Sequence, residues 1–255
     1  RLPELRSHVQ ERITRCGELP HLLEPDLKES FGGLRDITIL RGVSATGTAI
    51  VDETGMQEAR EFLLNVRDAL HGVTKRPTDL LTLQEQPAVA KVLGIESDDA
   101  LLRQVSQAGR TIAYISDLTW HRVKQHNADG RRGLFKRKVV TTVAHDDTPL
   151  APGVVVRNGE VTLSESAEPS SDPTLVLRAA AAAAQHGLRL DPQTVLRLAT
   201  ESAPMPSPWP REAREALVSL LGAGRLALPV WEALDQFETF NRIIPQWSVI
   251  RSAPQ

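Results

Sequence analysis

Leu23-Glu24-Pro25-Asp26-Leu27-Lys28-Glu29-Ser30-Phe31-Gly32-Gly33-Leu34-Arg35-Asp36-Ile37 places a charged extended segment, a glycine pair and an Arg-Asp helix start within one short stretch. Gly32-Gly33 lets the backbone turn, and Leu34, Ile37, Leu40, Arg41 and Val43-Ser44 then predict a helix. A glycine pair at a helix start is expected to expose backbone amides and favour an anion, with Lys28 and Arg35 beside it. Gly-Gly alone is a common packing device, so the alternative is close helix packing with Arg35 and Asp36 paired to neighbours.

Upstream, Leu5, Val9, Ile13 and Cys16 recur at helical spacing and Gly17 supplies a stop, while the prolines in Leu19 to Lys28 predict extended chain with one short strand. Downstream, Ala59, Phe62, Leu63, Val66, Ala69, Leu70 and Val73 form a broad apolar stripe, the clearest helix of the chain, ended by Pro77. Pro87 predicts the first turn of a helix closing at Gly94, and Ser97-Asp98-Asp99 caps a helix through Val123 of about eight turns at ~3.6 residues each. After Asp129-Gly130 the character changes. Val139 to Val143 is β-branched, Asn158-Gly159 sits between two apolar runs as a type I′ hairpin turn, and Ser164 to Asp172 has a linker composition. Helical patterns return at Pro173 to Gly187, Asp191 to Ser202, Pro208 to Leu221 and Leu226 to Phe240. The expected fold is mainly α, a helical bundle or array with a small antiparallel β-hairpin insert. The expected segments are 1–32 as linker helix and extended chain, 33–133 as helical domain, 134–165 as β insert and 166–255 as carboxy-terminal helices.

The chain has 255 residues, 30 basic against 32 acidic, and one cysteine. Near-neutral charge argues against a nucleic-acid or anionic-membrane binder, and a lone Cys16 with no export signal makes a reducing cytoplasm the expected setting. The Ala179 to Ala184 run is too short to cross a bilayer. Arg1 opens the sequence without a methionine, which reads as a piece of something longer. Arginines make up 24 of the 30 basic residues, the bias of a GC-rich genome.

Three blocks in order resemble the bifunctional PII uridylyltransferase/uridylyl-removing enzymes, in an actinobacterial form. The first is the Leu-Glu-Pro-x-x-Lys run leading into Gly-Gly-Leu-Arg-Asp, with Phe31 where the family usually has proline. The second is Val66-Arg67-Asp68-Ala69-Leu70-His71, then Arg76-Pro77-Thr78-Asp79-Leu80-Leu81, Gln86, Val89-Ala90 and Leu93-Gly94. The third, Phe240 to Trp247 with Val249-Ile250-Arg251 and Pro254-Gln255, is similar to the approach to the family's HD phosphohydrolase domain.

The resemblance implies a parent enzyme that transfers UMP from UTP to the PII signalling protein with magnesium and removes it in a separate HD domain, in response to glutamine. In some actinobacterial relatives the transferred group is adenylyl, from ATP. It makes Lys28, Gly32, Gly33, Arg35 and Asp36 nucleotide-proximal candidates, Asp36 orienting Arg35, with Arg67, His71 and Arg76 as weaker ones. Asp79 reads as a turn residue or cap. The chain shows no Gly-Ser followed by Asp-x-Asp, the magnesium-holding signature of such transferases, so catalytic and metal residues are expected to lie in flanking domains and the segment alone to be inactive. His145-Asp146-Asp147 lies in a turn between β-rich segments and is not expected to be a metal motif. Trp209, Trp231 and Trp247 are expected to be core or interface anchors. The alternatives are a non-catalytic helical protein-binding module and a relative of the glutamine synthetase adenylyltransferases, which carry a similar Gly-Gly-hydrophobic-Arg block.

Overall fold

The computed structural model describes residues 2–49, 51, 53–133 and 147–247, and the chain divides into two compact units, Arg1–Lys138 and Val139–Gln255. As expected, the fold is mainly α with a small antiparallel β insert.

The first unit holds α1 (Leu2–Cys16), α2 (Leu34–Ala45), α3 (Glu53–Thr74), α4 (Gln86–Leu93) and α5 (Asp98–Gly133). Gly17 at φ +71 ends α1, Gly94 at φ +70 ends α4 behind Pro87 in its first turn, and Ser97 Oγ accepts the Ala100 N–H at 3.1 Å to open α5. The 36 residues of α5 make it about ten turns, longer than its apolar pattern predicts. The predicted strand between Leu19 and Lys28 is instead a 3₁₀ turn, Leu19–His21, followed by isolated bridges. One core gathers Leu19, Leu27, Ile37, Leu40, Met56, Leu63, Val66, Leu70, Leu81, Val89, Leu101 and Ile112. Phe31 is buried in a second cluster with Val9, Val43, Trp120 and Val123.

In the second unit β1 (Thr148–Ala151), β2 (Val154–Arg157) and β3 (Glu160–Leu163) form an antiparallel sheet in that order. Arg157 pairs with Glu160 across the turn, where Asn158 and Gly159 both have positive φ, the type I′ signature. Val139 to Val143, His145 and Asp146 lie outside the described residues. Asp147 accepts two hydrogen bonds from Arg157, at 2.8 and 2.7 Å.

The run with linker composition is a packed connection, because Ala167 and Pro169 are buried and the Ala203 N–H donates to the Pro169 carbonyl at 3.0 Å. Helices α6 (Leu175–Gln185), α7 (Pro192–Glu201), α8 (Arg211–Gly222), α9 (Leu228–Gln236) and α10 (Thr239–Ile243) follow. The pattern from Leu226 to Phe240 breaks into two helices at Glu238, which takes φ +54. Trp231 stacks on Phe240 at 3.9 Å and meets Trp247 edge-on at 5.0 Å, while the Trp247 indole N–H donates to Asp235 at 2.7 Å. That is the anchoring arrangement of a local core. Among the described residues no single helix is long and apolar enough to cross a membrane.

Candidate functional site

The glycine pair is a packing joint. Gly32 has φ +90, and a Cβ there would stand 2.4 Å from the Gly109 carbonyl oxygen of α5; a Cβ on Gly33 would stand 2.8 Å from the Leu27 and Ser30 carbonyls. Two backbones meet here at a separation only glycine permits.

The amides expected to be free are taken. The Gly32 N–H donates to Asp36 Oδ2 at 2.8 Å, Gly33 to Ser30 O at 2.9 Å, Leu34 to Leu27 O at 3.0 Å, Arg35 to Lys28 O at 3.2 Å and Asp36 to Gly33 O at 3.0 Å. The start of α2 therefore has no unpaired donor to offer an anion.

Asp36 does not orient Arg35, because adjacent residues on a helix point about 100° apart. It is buried and pairs with Arg12 Nη2, while Arg12 Nη1 donates to Glu29 O at 2.5 Å and to Ser30 O at 3.4 Å. Burial pushes the Asp36 carboxyl up from its ordinary value, against the pull of the Arg12 charge and the Gly32 and Gly33 amides. Arg35 lies on the exposed side, held by Glu29 Oε1 through Nε at 2.8 Å and Nη2 at 2.6 Å.

The first and second motif blocks fold onto each other. Leu27 donates its N–H to Asp79 O at 2.8 Å, Leu81 to Pro25 O at 2.9 Å and Leu83 to the Glu24 carboxylate at 2.9 Å. The buried Gln86 amide donates to Leu23 O at 2.7 Å and closes the far end of this short antiparallel ladder.

At the near end stands a charged cluster. Arg67 Nε donates to Asp79 Oδ1 at 2.5 Å, Lys28 Nζ lies 3.9 Å from Asp79 Oδ2, and His71 Nε2 lies 3.9 Å from Oδ1 and 3.0 Å from the Thr78 carbonyl. With that carbonyl as acceptor, Nε2 is the donating ring nitrogen. Arg67 and His71, four residues apart on α3, share a face, and both are partly exposed. Arg67's terminal nitrogens and the Lys28 ammonium make no hydrogen bond among the described residues, and Arg76 is exposed with no ion pair among them.

The cluster can hold an anion. It presents two cations with spare donors, spaced by one carboxylate, on a surface that is partly withdrawn from water. Lys28, Arg67 and His71 are brought together; Gly32, Gly33 and Asp36 form the buried joint. The sequence reading did not single out Arg12 and took Asp79 for a turn residue or cap. Signals existed for both: Arg12 lies three residues after the buried Val9, and Asp79 sits within a motif that also carries Arg67 and His71.

Among the described residues no three His, Cys, Asp or Glu side chains gather into a set that could hold a metal.

The GlnD PII-uridylyltransferase family model matches residues 3–47 and 51–120. The chain is 50% identical over its whole length to a bifunctional uridylyltransferase/uridylyl-removing enzyme of Streptomyces coelicolor, covering 31% of that protein. It is 36% identical over its whole length to the enzyme so named in Mycobacterium tuberculosis, covering 32% of it. To the one in Corynebacterium glutamicum it is 30% identical over 94% of the chain, covering 33% of that protein. The chain thus spans about a third of the length of these curated relatives. No solved structure matches it.

Proposed function

Because this chain belongs to the PII-uridylyltransferase family, we propose that it forms one wall of the donor-nucleotide site in an enzyme that transfers UMP, or AMP, from its triphosphate to the PII signalling protein. The reverse reaction, uridylyl removal, would belong to a separate HD domain, and magnesium would be held by carboxylates of the nucleotidyltransferase domain.

The observation that carries this reading is the ladder between the first two motif blocks, which sets Lys28 and Arg67 around Asp79 with their terminal nitrogens unspent. Nucleotidyl transfer develops negative charge on the phosphate chain as pyrophosphate departs. Fixed cations in a partly dry site stabilise that charge without having to reorganise. Arg67 offers a planar pair of donors and Lys28 a compact point charge, a combination suited to a triphosphate.

The test uses the complete enzyme. Arg67→Ala and Lys28→Ala should each lower kcat/KM for transfer by about tenfold, about 1.4 kcal/mol, while uridylyl removal continues at its normal rate. Equal loss of both reactions with a lower Tm would make the cluster a structural joint. Transfer at the unaltered rate would place the donor elsewhere.

A further inference from the structure

We propose that Asp79 is a positioning residue of the donor site, setting the distance and orientation of Arg67 and Lys28 rather than meeting the nucleotide; this rests on reading the cluster as the donor site. Asp79 divides its oxygens between the two cations, Oδ1 taking Arg67 Nε and Oδ2 facing Lys28 Nζ. The Nε bond to Asp79 restrains the Arg67 guanidinium and leaves both of its terminal nitrogens without a hydrogen bond among the described residues. Lys28, at 3.9 Å, is within ion-pair range but beyond a hydrogen bond, so its three donors stay available.

The carboxylate itself is held still. The Asp79 carbonyl accepts the Leu27 N–H at 2.8 Å, the following ladder bond joins Leu81 to Pro25 at 2.9 Å, and the Thr78 carbonyl is tied to His71 at 3.0 Å. Only 18% of the Asp79 side chain is exposed. It is anchored to the same ladder that carries Lys28, and it reaches across to α3 for Arg67.

Charge alone argues against a carboxylate here, since a negative group beside a phosphate chain repels it. Geometry argues for one, because cations already held at a set spacing lose less side-chain freedom when they bind a phosphate chain. The two arguments predict opposite signs when the charge of Asp79 is removed.

The experiment compares Asp79→Asn, Asp79→Glu and Arg67→Lys with the unaltered complete enzyme, measuring kcat, KM for UTP and ATP, KM for the protein acceptor, inhibition by inorganic pyrophosphate, and Tm. Positioning predicts that Asp79→Asn raises the donor KM and the pyrophosphate inhibition constant by about fivefold or more, with kcat and acceptor KM within about twofold. Asp79→Glu should recover part of the loss, and Arg67→Lys, which keeps charge but loses the Nε contact, should resemble Asp79→Asn. A lower donor KM in Asp79→Asn would overturn the proposal by showing that the carboxylate acts as a brake on phosphate binding. An unchanged donor KM, or parallel loss of transfer and uridylyl removal with a lower Tm, would overturn it equally. If Arg67→Ala and Lys28→Ala shift the donor KM while Asp79→Asn does not, this inference alone fails; if none of the three shifts it, the donor-site reading fails as well.

Discussion

Arg12–Asp36 and Arg67–Asp79 are the same chemical pair placed in two environments of one unit. The side chains of the first are 5% and 1% exposed, and both terminal nitrogens of Arg12 and both oxygens of Asp36 are engaged within the fold. The second is 32% and 18% exposed, and Arg67 spends one nitrogen of three. An arginine–carboxylate pair therefore does not mark a site by itself. What separates the two pairs is that the Arg12 donors are engaged within the fold while Arg67 keeps donors to spare at partial exposure, the property on which the proposed donor site rests.

Breaking the buried pair should have the largest effect. Arg12→Ala leaves a carboxylate buried without its counter-charge and should destabilise the first unit by roughly 3–5 kcal/mol in chemical denaturation. Asp36→Asn keeps an acceptor for the Gly32 N–H but leaves the buried Arg12 guanidinium without its counter-charge, so it should cost a comparable amount. If either variant costs less than about 1 kcal/mol, the pair is not the closed joint described. Gly32→Ala attacks the same joint through the backbone. The positive φ costs an L residue roughly 1–2 kcal/mol and the contact with the Gly109 carbonyl adds a similar amount, giving roughly 2–4 kcal/mol. A Gly32→Ala protein as stable as the parent would mean that α2 and α5 separate easily at this point.

The second pair should respond in the opposite way. Arg67→Ala removes a partly solvated ion pair and should change stability by no more than about 1 kcal/mol, while it slows nucleotidyl transfer by about tenfold. Measuring unfolding and transfer on the same preparation checks both halves. A stability loss comparable to that of Arg12→Ala would erase the distinction between the two pairs.

Periodicity carried the helices, because an apolar stripe such as Ala59 to Val73 is local information, and turn chemistry carried the hairpin at Asn158-Gly159. Breaks without a composition signal did not show: the division of Leu226 to Phe240 depends on Glu238 adopting positive φ, which no propensity announces. The candidate cluster was half legible. Lys28, Arg67 and His71 stood in recognisable motifs, but what joins them is a ladder between residues more than fifty positions apart, and Asp79 gains its role only from that pairing. Arg12 was hidden for the same reason. Its partner lies 24 residues away, so helical spacing could show only that it is polar.

The second unit supplies an intermediate case and the smallest predicted effect. Arg178 donates to Asp172 Oδ2 at 2.8 Å, to Glu212 at 2.6 Å, to Thr174 Oγ1 at 2.6 Å and to the Pro152 carbonyl at 3.1 Å, a pairing richer than that of Arg67 but less enclosed than that of Arg12. At Asp172 burial acts upward, yet the hydrogen bonds from Arg178 and Thr174 and the Arg178 charge outweigh it and hold the carboxyl below its ordinary 3.8. A carboxyl depressed in the folded state contributes stability that is complete above its unfolded pKa and is lost as pH falls through the folded value. The stability gap between the unaltered protein and Asp172→Asn should therefore stay constant from neutral pH to about pH 5 and close below the ordinary 3.8. Asp36 is raised, so its linkage runs the other way: the proton-linked contribution is present at low pH and is lost as pH rises through the folded value. The gap to Asp36→Asn should widen on acidification while the gap to Asp172→Asn narrows. Parallel pH profiles for the two variants would show that the two carboxyls shift in the same direction on folding, and the contrast between a closed joint and an open pair would then have to rest on geometry alone.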